Sequence, residues 1–290
     1  MYRSKFIENL KYWLLVFLAA LAITVWLVYF KEPDQNLHLV TLDVGQGDSI
    51  LIEKGSEQIL VDGGPDDKVL SELAKFMPIE DREIEEVILT HPHSDHVTGL
   101  VEVLSRYKVD KIDYNGMEYT SSVYKNFLQI AKEKNIPIHV PRIGNEEKVF
   151  GSGIIKFLWP GDNVVAYSND PNDTSEVFKF TYGIFSALLT GDLQTDAWQQ
   201  VIANNKSDIE NIDYLKDSHH GSKTGMTDEI AGIILPRVAV ISCGAGNSYG
   251  FPHKEVLDAL SKVGADIYRT DQNGSVDFSI SADGKKWWKN

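Results

Sequence analysis

Hydrophobic and polar positions divide the chain into one long apolar run and a remainder in which short strands alternate with helices. The run, residues 12–30 (YWLLVFLAALAITVWLVYF), contains no charged residue. At about 1.5 Å per residue, a helix of that length approaches the roughly 30 Å hydrocarbon core of a bilayer. Aromatic residues stand at both ends of the run, where the two membrane interfaces would lie. The pattern predicts one transmembrane helix within residues 1–33 and a separate domain from residue 34 to residue 290.

Two explanations of this run stay open, an uncleaved anchor and a cleaved signal peptide. Its length favours the anchor, as does the lack of a small-residue cleavage site between the run and residues 31–33. Arg3, Lys5 and Lys11 precede the run, whereas Lys31 alone follows it before two acidic residues. Because positive residues stay on the cytoplasmic side, we expect a cytoplasmic N-terminus and a single-pass protein of the cell membrane with an extracellular domain.

Beyond the run, the spacing of apolar residues alternates between strand and helix periods. Residues 37–52, interrupted by a Gly-rich turn, and residues 58–61 have the pattern of strands, and residues 66–77 have helical spacing. Further strands are expected at 86–90, 178–190, 212–216, 238–242 and, as a final core strand, 266–270; further helices are expected at 97–107, 195–203 and 255–263. Strands mixed with helices in both halves predict an α/β fold, a four-layer αββα sandwich in which helices cover two sheets.

Composition excludes several classes of protein. The 290 residues carry a formal net charge of -14 and a single cysteine, Cys243, so neither an intramolecular disulfide nor a cysteine-based zinc cluster is possible. The acidic balance argues against a protein that coats duplex DNA through a broad basic face, because neutralising phosphates requires Lys and Arg.

The strongest chemical signal is HPHSDH at residues 91–96, between an apolar strand and a helix. It offers four potential ligands, His91, His93, Asp95 and His96, whose nitrogen and oxygen atoms suit zinc, manganese or iron. A surface or capping role for all four together would be unusual.

Two further groups end apolar strands. Asp192 follows LLTG, and the pair His219 and His220 follows the strand at residues 212–216. Since neighbouring side chains of an extended chain point to opposite sides, one histidine of the pair is expected to face the metals.

At this point a family resemblance emerges. The HxHxDH motif, the TGD motif and a later histidine resemble the signature of the metallo-β-lactamase superfamily. More narrowly, LDVGQGD at 42–48, LVDGG at 60–64, HHGSKT at 219–224 and YGFPH at 249–253 are similar to the C-terminal hydrolase domain of the competence DNA-uptake protein ComEC and to its stand-alone relatives. The resemblance covers roughly residues 37–284.

The resemblance implies two divalent metal ions, preferably Zn²⁺ with Mn²⁺ as the alternative. His91 and His93 would hold the first ion, and Asp95 and His96 the second. Asp192 would bridge the two ions, and His220, preferred over His219, would complete the second site. Asp62 would orient the ligand histidines from beneath.

Two departures from the family pattern bear on the substrate. Where many members have another metal-binding histidine, this chain has Asn172 in the stretch NDTS, which implies a more open first site. Phe251 stands in place of the first histidine of a Gly-His-Pro-His pattern and removes one imidazole that would reach a substrate.

Metal-activated water makes hydrolysis the expected reaction, with Asp95 and His253 as the candidate catalytic residues. His253 is a candidate proton donor to the leaving oxygen, and an ordinary helix cap is the alternative. Asn172, Ser222 and Lys223 are candidate substrate contacts, although Lys223 fits a solvated loop position equally well.

Three functions remain open. A phosphodiesterase or nuclease acting on single-stranded DNA or another extracellular phosphodiester is preferred. A lactamase-like hydrolase of C–N or C–O bonds is the alternative within the fold, and a non-catalytic metal-stabilised module that binds DNA or wall polymer is the third. The expected partners are the membrane, through the N-terminal helix, a single-stranded DNA or small phosphodiester substrate, and competence or cell-envelope proteins.

Overall fold

A computed structural model describes the backbone of residues 2–29, 35–78 and 80–290, and the side chains of these residues other than 2–8, 27–29 and 167. The chain divides into two compact units, Met1–Asp34 and Gln35–Asn290. In the first unit, helix α1 (Tyr2–Tyr29) includes the segment Asn9–Trp26, which is long and apolar enough to cross a membrane. The expected end of the apolar run at residue 30, its flank at 31–34 and the expected domain boundary lie outside the described residues.

The second unit is built from two sheets and the helices that cover them. Its strands within the described residues are β1 (Leu37–Thr41), β2 (Ile50–Lys54), β3 (Glu57–Val61), β4 (Glu83–Leu89), β5 (Lys108–Tyr114), β6 (Ile138–His139), β7 (Glu146–Val149), β8 (Gly153–Trp159), β9 (Val177–Tyr182), β10 (Phe185–Leu189), β11 (Tyr214–Lys216), β12 (Val238–Ile241), β13 (Asp266–Arg269), β14 (Val276–Ile280) and β15 (Trp287–Lys289). Its helices are α2 (Lys68–Phe76), α3 (Ser94–Arg106), α4 (Ser122–Glu133), α5 (Asp162–Tyr167), α6 (Thr195–Ile209), α7 (Asp228–Ile234), α8 (Lys254–Lys262) and α9 (Thr270–Asn273).

The two sheets run in the strand orders β15-β14-β1-β2-β3-β4-β5-β6 and β13-β12-β11-β10-β9-β8-β7. Three clusters of buried apolar side chains hold the sheets and helices together. Leu39 and Phe178 belong to the layer between the sheets. Val87 packs with Leu100 of α3 on the outer face of the first sheet, and Trp198 of α6 lies in the layer outside the second. Burying each large apolar side chain contributes roughly 1.5–3 kcal/mol. The predicted four-layer α/β sandwich is confirmed.

Parallel pairing brings the polar strand ends to one edge of the sandwich. β3 pairs with β4 in parallel in the first sheet, and β10 pairs with β11 in parallel in the second. The loops that follow these four strands begin with residues 62, 90, 190 and 217, and they carry the carboxylates and histidines singled out by the sequence. Since the carboxyl ends of parallel strands meet at the same edge, these loops can share one site.

Helix α3 begins at Ser94, three residues before its expected start. The apolar periodicity begins only at Val97, so the polar first turn carries no helical signal of its own. As a consequence Asp95 and His96 lie on the first turn of α3. A carboxylate there is favourable, because the helix dipole is positive at this end.

The expectation of a final core strand at residues 266–270 is wrong. β13 (Asp266–Arg269) is a partly exposed strand at the edge of the second sheet. The buried strand at this end of the chain is β14, which pairs antiparallel with β1 in the first sheet. Strands β5 and β7, with sequences KVDKIDY and EEKV, were not predicted, because their charged residues interrupt the apolar alternation on which strand prediction depends.

Candidate metal centre

The carboxylate of Asp192 lies at the centre of the site. It follows β10, is almost completely buried, and directs its Oδ2 towards imidazole nitrogens. This oxygen is 3.3 Å from Nε2 of His220, 3.4 Å from Nε2 of His96, 3.8 Å from Nε2 of His219 and 3.9 Å from Nε2 of His91. The backbone N–H of Asp192 donates to the hydroxyl of Ser175 at 3.1 Å, which holds the turn in place. Four imidazole rings of the described chain thus surround one carboxylate.

The segment between β4 and α3, with the first turn of α3, supplies several of the side chains around Asp192. His91 is fully buried, and its Nε2 lies 3.1 Å from Nδ1 of the half-buried His93. Asp95, on the first turn of α3, places Oδ2 3.3 Å from Nε2 of His220 and 3.9 Å from Nε2 of His96. Three candidate ligands of the HPHSDH motif, His91, Asp95 and His96, therefore lie around Asp192, and His93 contacts His91.

The expectation that the pair His219 and His220 lies on an extended chain is wrong. Both residues have left-handed backbone conformations, with φ of +51° and +56°, within a short 3₁₀ turn. The turn directs both Nε2 atoms towards Asp192, although His220 is buried and closer and His219 remains partly exposed. Such conformations are strained for residues with a side chain. The backbone N–H of His219 donates to Gly191 O at 3.2 Å and ties the turn to the neighbouring strand end.

The donor set fits a divalent metal ion. Nε2 of His96, Nε2 of His220 and Oδ1 of Asp192 are buried and have no hydrogen-bond partner within the described part of the chain. Ligand atoms of Asp95, His96, Asp192 and His220 all lie within 4.8 Å of one another. Buried polar atoms are almost always partnered, and a cation between these nitrogens and oxygens would be such a partner. Together with the fold, the cluster implies divalent metals.

The opposite charges of the histidines and carboxylates shift each other's pKa values. Burial alone would lower the pKa of His96, but the carboxylates of Asp192, Asp62 and Asp95 raise it well above its ordinary value. Conversely, burial would raise the pKa of Asp192, and the rings of His220 and His96 hold it well below its ordinary value. A bound metal would replace these imidazole protons, since metal ligation requires neutral imidazole.

Asp62 lies at the position expected of an orienting carboxylate. Its Oδ2 is 2.8 Å from Nδ1 of His96, and its two oxygens accept hydrogen bonds from the backbone N–H and the hydroxyl of Thr90. Because Nδ1 of His96 is engaged in this way, Nε2 is the nitrogen left to face Asp192. This arrangement fixes both the ring plane and the tautomer of His96.

Sequence reasoning missed the corresponding support of His220. Its Nδ1 lies 3.0 Å from Ser242 O and 3.2 Å from Oδ1 of Asp48, and both atoms are buried. The other oxygen of Asp48 forms an ion pair with the fully buried ammonium of Lys216. An available signal was a charged Lys216 at the end of the apolar strand β11, because lysine is almost never fully buried unless paired.

The remaining candidate residues, named in the sequence for catalysis or substrate binding, make other contacts. Nδ1 of His253 accepts a hydrogen bond from the backbone N–H of Lys223 at 3.1 Å, so a neutral ring carries its proton on Nε2. The Lys223 side chain is exposed. The hydroxyl of Ser222 is engaged with Thr224 at 2.9 Å. Asn172 is nearly buried, and its Oδ1 has no hydrogen-bond partner among the described residues.

Comparison with known proteins identifies the class. Residues 42–245 match the sequence model of the metallo-beta-lactamase superfamily, and the chain belongs to that superfamily. Its curated relatives include ComE operon protein 3 of Bacillus subtilis, 28% identical over 82% of this chain and 32% of that protein. Recombination protein 2 of Haemophilus influenzae is 30% identical over 89% of this chain and 31% of that protein. Another relative is the competence protein ComA of Neisseria gonorrhoeae, so the predicted resemblance to competence proteins is confirmed.

The match is limited in extent. The chain spans about a third of the length of these relatives. A shorter relative, exodeoxyribonuclease WalJ of Streptococcus pneumoniae, is 24% identical over 56% of this chain and 60% of that protein. Among solved structures, the metallo-beta-lactamase fold protein YhfI of Bacillus subtilis has a TM-score of 0.56 at 17% identity, covering 88% of this chain and 100% of that one. This likeness shows a shared fold.

We predict that Asp48→Asn weakens divalent-metal binding by about 10- to 100-fold, because it removes the negative charge beside the Nδ1–H of His220. Competition titration of the full chain in detergent, with Zn²⁺ and a fluorescent chelator, measures the affinity. Asp43→Asn is the matched control: Asp43 lies in the same loop but pairs with Lys68 at 3.0 Å, and it should bind metal like the wild type. Equal affinity for Asp48→Asn and wild type would show that Ser242 O alone suffices to hold the ring.

Proposed function

We propose that this metal-dependent hydrolase of the metallo-beta-lactamase superfamily cleaves phosphodiester bonds, with single-stranded DNA or another extracellular phosphodiester as substrate. The observation that carries the proposal is the buried cluster of histidines and carboxylates around Asp192. The name of the exodeoxyribonuclease supports DNA as the substrate class. The partners we propose are competence or cell-envelope proteins, and the presence of a competence protein among the relatives supports the first of these.

We propose the ligand assignment that the superfamily motif implies, and the distances around Asp192 support it. His91 and His93 would hold one ion, and Asp95, His96 and His220 the other, with Asp192 between them. His219, whose side chain is partly exposed, would remain at the rim. Zn²⁺ is the preferred ion and Mn²⁺ the alternative, since imidazole and carboxylate accept both. When bound, two such ions supply an activated water and neutralise charge on the phosphoryl oxygens.

The protein groups around the cluster would complete the reaction. Asp62 and Asp48 hold the imidazoles of His96 and His220 through Nδ1. Asp95 is the partly exposed carboxylate of the cluster, with a third of its side chain accessible, and would accept a hydrogen bond from the attacking water. His253, whose Nδ1 accepts the backbone N–H of Lys223, carries its proton on Nε2 and would donate a hydrogen bond from that atom to the leaving oxygen. A surface with net charge -14 would favour single strands and small diesters over long duplexes.

Hydrolysis assays on the full chain in detergent, with added Zn²⁺ or Mn²⁺, test this function. We expect turnover of bis-p-nitrophenyl phosphate and of single-stranded DNA, but not of the lactam nitrocefin. Asp192→Asn and His93→Ala should each lower kcat by at least about 10²-fold, because the water is left under-activated. Asp196→Asn, an exposed carboxylate on the first turn of α6, is the control and should retain activity.

The outcomes separate the three functions. Hydrolysis of nitrocefin without cleavage of either phosphodiester would favour the lactamase-like alternative. Metal and DNA binding without any turnover would favour the non-catalytic module. Full activity of Asp192→Asn at normal metal content would contradict the assignment of Asp192.

We predict different kinetic effects for the two loop residues near the cluster. His253→Ala should lower kcat by about 10²–10³-fold, because the leaving oxygen loses a hydrogen-bond donor to its developing charge. Lys223→Ala should raise KM more than it lowers kcat, because Lys223 would hold a ground-state phosphate. Lys254→Ala removes a nearby exposed lysine that pairs with Asp258 and serves as the control. Wild-type kinetics for both variants on one phosphodiester would return His253 and Lys223 to capping and solvated-loop roles.

We also propose that α1 anchors the chain in the cell membrane with the domain after residue 34 outside. The apolar segment Asn9–Trp26 supports the anchor, and the basic residues that precede it in the sequence support the orientation. Protease added to intact spheroplasts should degrade the C-terminal domain while a cytoplasmic marker protein survives. Protection of the domain until the spheroplasts are lysed would reverse the orientation, and its release into the medium would indicate a cleaved signal peptide.

A further inference from the structure

An exposed pair of aromatic rings lies beside the candidate metal centre. Tyr249 has 64% of its surface accessible, which is unusual for a large aromatic residue without a partner surface. Its ring is stacked on that of Phe251, with centroids 5.4 Å apart and an angle of 20° between the planes. The inner ring is therefore covered on one face, and the outer ring of Tyr249 presents its accessible surface to solvent.

The loop that carries the two rings is held by its own hydrogen bonds. Oδ1 of Asn247 accepts from the backbone N–H groups of Tyr249 and Phe251, and its amide nitrogen donates to Gly244 O and Phe251 O. These bonds define the loop without using either ring. A flat apolar face held in this way loses little conformational freedom when it binds a ligand.

Contacts connect the stacked pair to the residues of the site. The ring of Phe251 packs edge-on against His219, with centroids 5.8 Å apart, and against His253 at 5.1 Å. His219 in turn reaches to 3.8 Å from Asp192. The backbone N–H of His253 donates to Gly221 O at 2.9 Å, which joins the loop to the histidine turn. A group bound next to the cluster thus has an aromatic surface immediately at its side.

We propose that Tyr249, stacked on Phe251, forms a subsite for the nucleobase next to the cleaved phosphate. The proposal rests on the phosphodiesterase function proposed above. A nucleotide carries a flat aromatic base beside a phosphate, which matches a stacking surface beside a cation-binding cluster. Stacking is sequence-tolerant, so this subsite selects nucleic acid without selecting a base. Phe251, in place of an imidazole, makes the inner ring of the stack a purely apolar support.

A sugar ring is the competing ligand for an exposed aromatic side chain. Sugar recognition requires hydrogen-bonding groups around the aromatic face to engage the hydroxyls. The side-chain amide nearest to the stack in sequence, that of Asn247, already donates to two carbonyl oxygens and accepts from two backbone N–H groups. With both its donors and both its acceptor positions in use, it has no capacity left for sugar hydroxyls. The side-chain amide of this loop is therefore committed to the loop itself, which favours a base over a sugar.

Matched oligonucleotides test the subsite. The full chain in detergent, loaded with Mn²⁺ or Zn²⁺, is assayed on a single-stranded oligonucleotide and on the same backbone with abasic residues throughout. We expect the wild type to have a higher kcat/KM for the natural oligonucleotide than for the abasic one. Tyr249→Leu should reduce this preference, the natural kcat/KM divided by the abasic kcat/KM, by about 5- to 100-fold, the usual contribution of one stacked base. Tyr249→Phe should restore the preference. Trp288→Ala removes an exposed ring on the outermost strand β15 and should leave the ratio unchanged.

The possible failures are distinguishable. Cleavage of both oligonucleotides with the same ratio in wild type and Tyr249→Leu would overturn the subsite and leave the phosphodiesterase function intact. If Tyr249→Leu cleaves both oligonucleotides like the wild type but cleaves a glycosylated glycerol-phosphate polymer more slowly, the ring binds a sugar, and the base subsite is overturned. Cleavage of neither oligonucleotide by the wild type would overturn the proposed function and the base subsite with it.

Discussion

A carboxylate with almost no accessible surface must be surrounded by positive charge, or it will take up a proton and lose its own charge. Asp192 meets this constraint through the rings of His220 and His96, which approach its Oδ2 to 3.3 and 3.4 Å. The pairing leaves Nε2 atoms and one carboxylate oxygen buried without hydrogen-bond partners among the described residues. A divalent cation is the group that satisfies all of these atoms together, and the surrounding fold serves to keep them in register.

The sandwich keeps these side chains close together because the ends of its parallel strands lie at one edge. Each of the two rings nearest to Asp192 is then fixed through Nδ1, His96 by Asp62 and His220 by Ser242 O and Asp48. Lys216, fully buried, balances the charge of Asp48. The cluster therefore depends on a second layer of buried charges that never reach a metal. Removing Asp62 would leave the ring of His96 without the carboxylate that fixes its orientation, and removing Asp48 would leave the ring of His220 held by Ser242 O alone.

Much of this architecture was predictable. Apolar periodicity indicated both halves of the sandwich, and the HPHSDH motif indicated the site. Both signals involve residues that are close together in the sequence, so they can be detected without knowledge of the fold. Two features were not local. The left-handed turn of His219 and His220 is imposed by tertiary contacts such as the bond from His219 N–H to Gly191 O, and no alternation rule predicts it. The contact of Asp48 with Lys216 joins residues far apart in the chain, so Lys216 at the end of an apolar strand signals a buried partner without identifying Asp48 as that partner.

The central claim is that the cluster around Asp192 is a metal centre. Anomalous diffraction from crystals of the metal-loaded chain, recorded at the zinc and manganese absorption edges, tests it most directly. The account predicts anomalous peaks about 2.0–2.2 Å from Nε2 of His96, from Nε2 of His220 and from a carboxylate oxygen of Asp192. Crystals soaked with either metal that show no peak at this position, with both imidazoles hydrogen-bonded directly to Asp192, would contradict it.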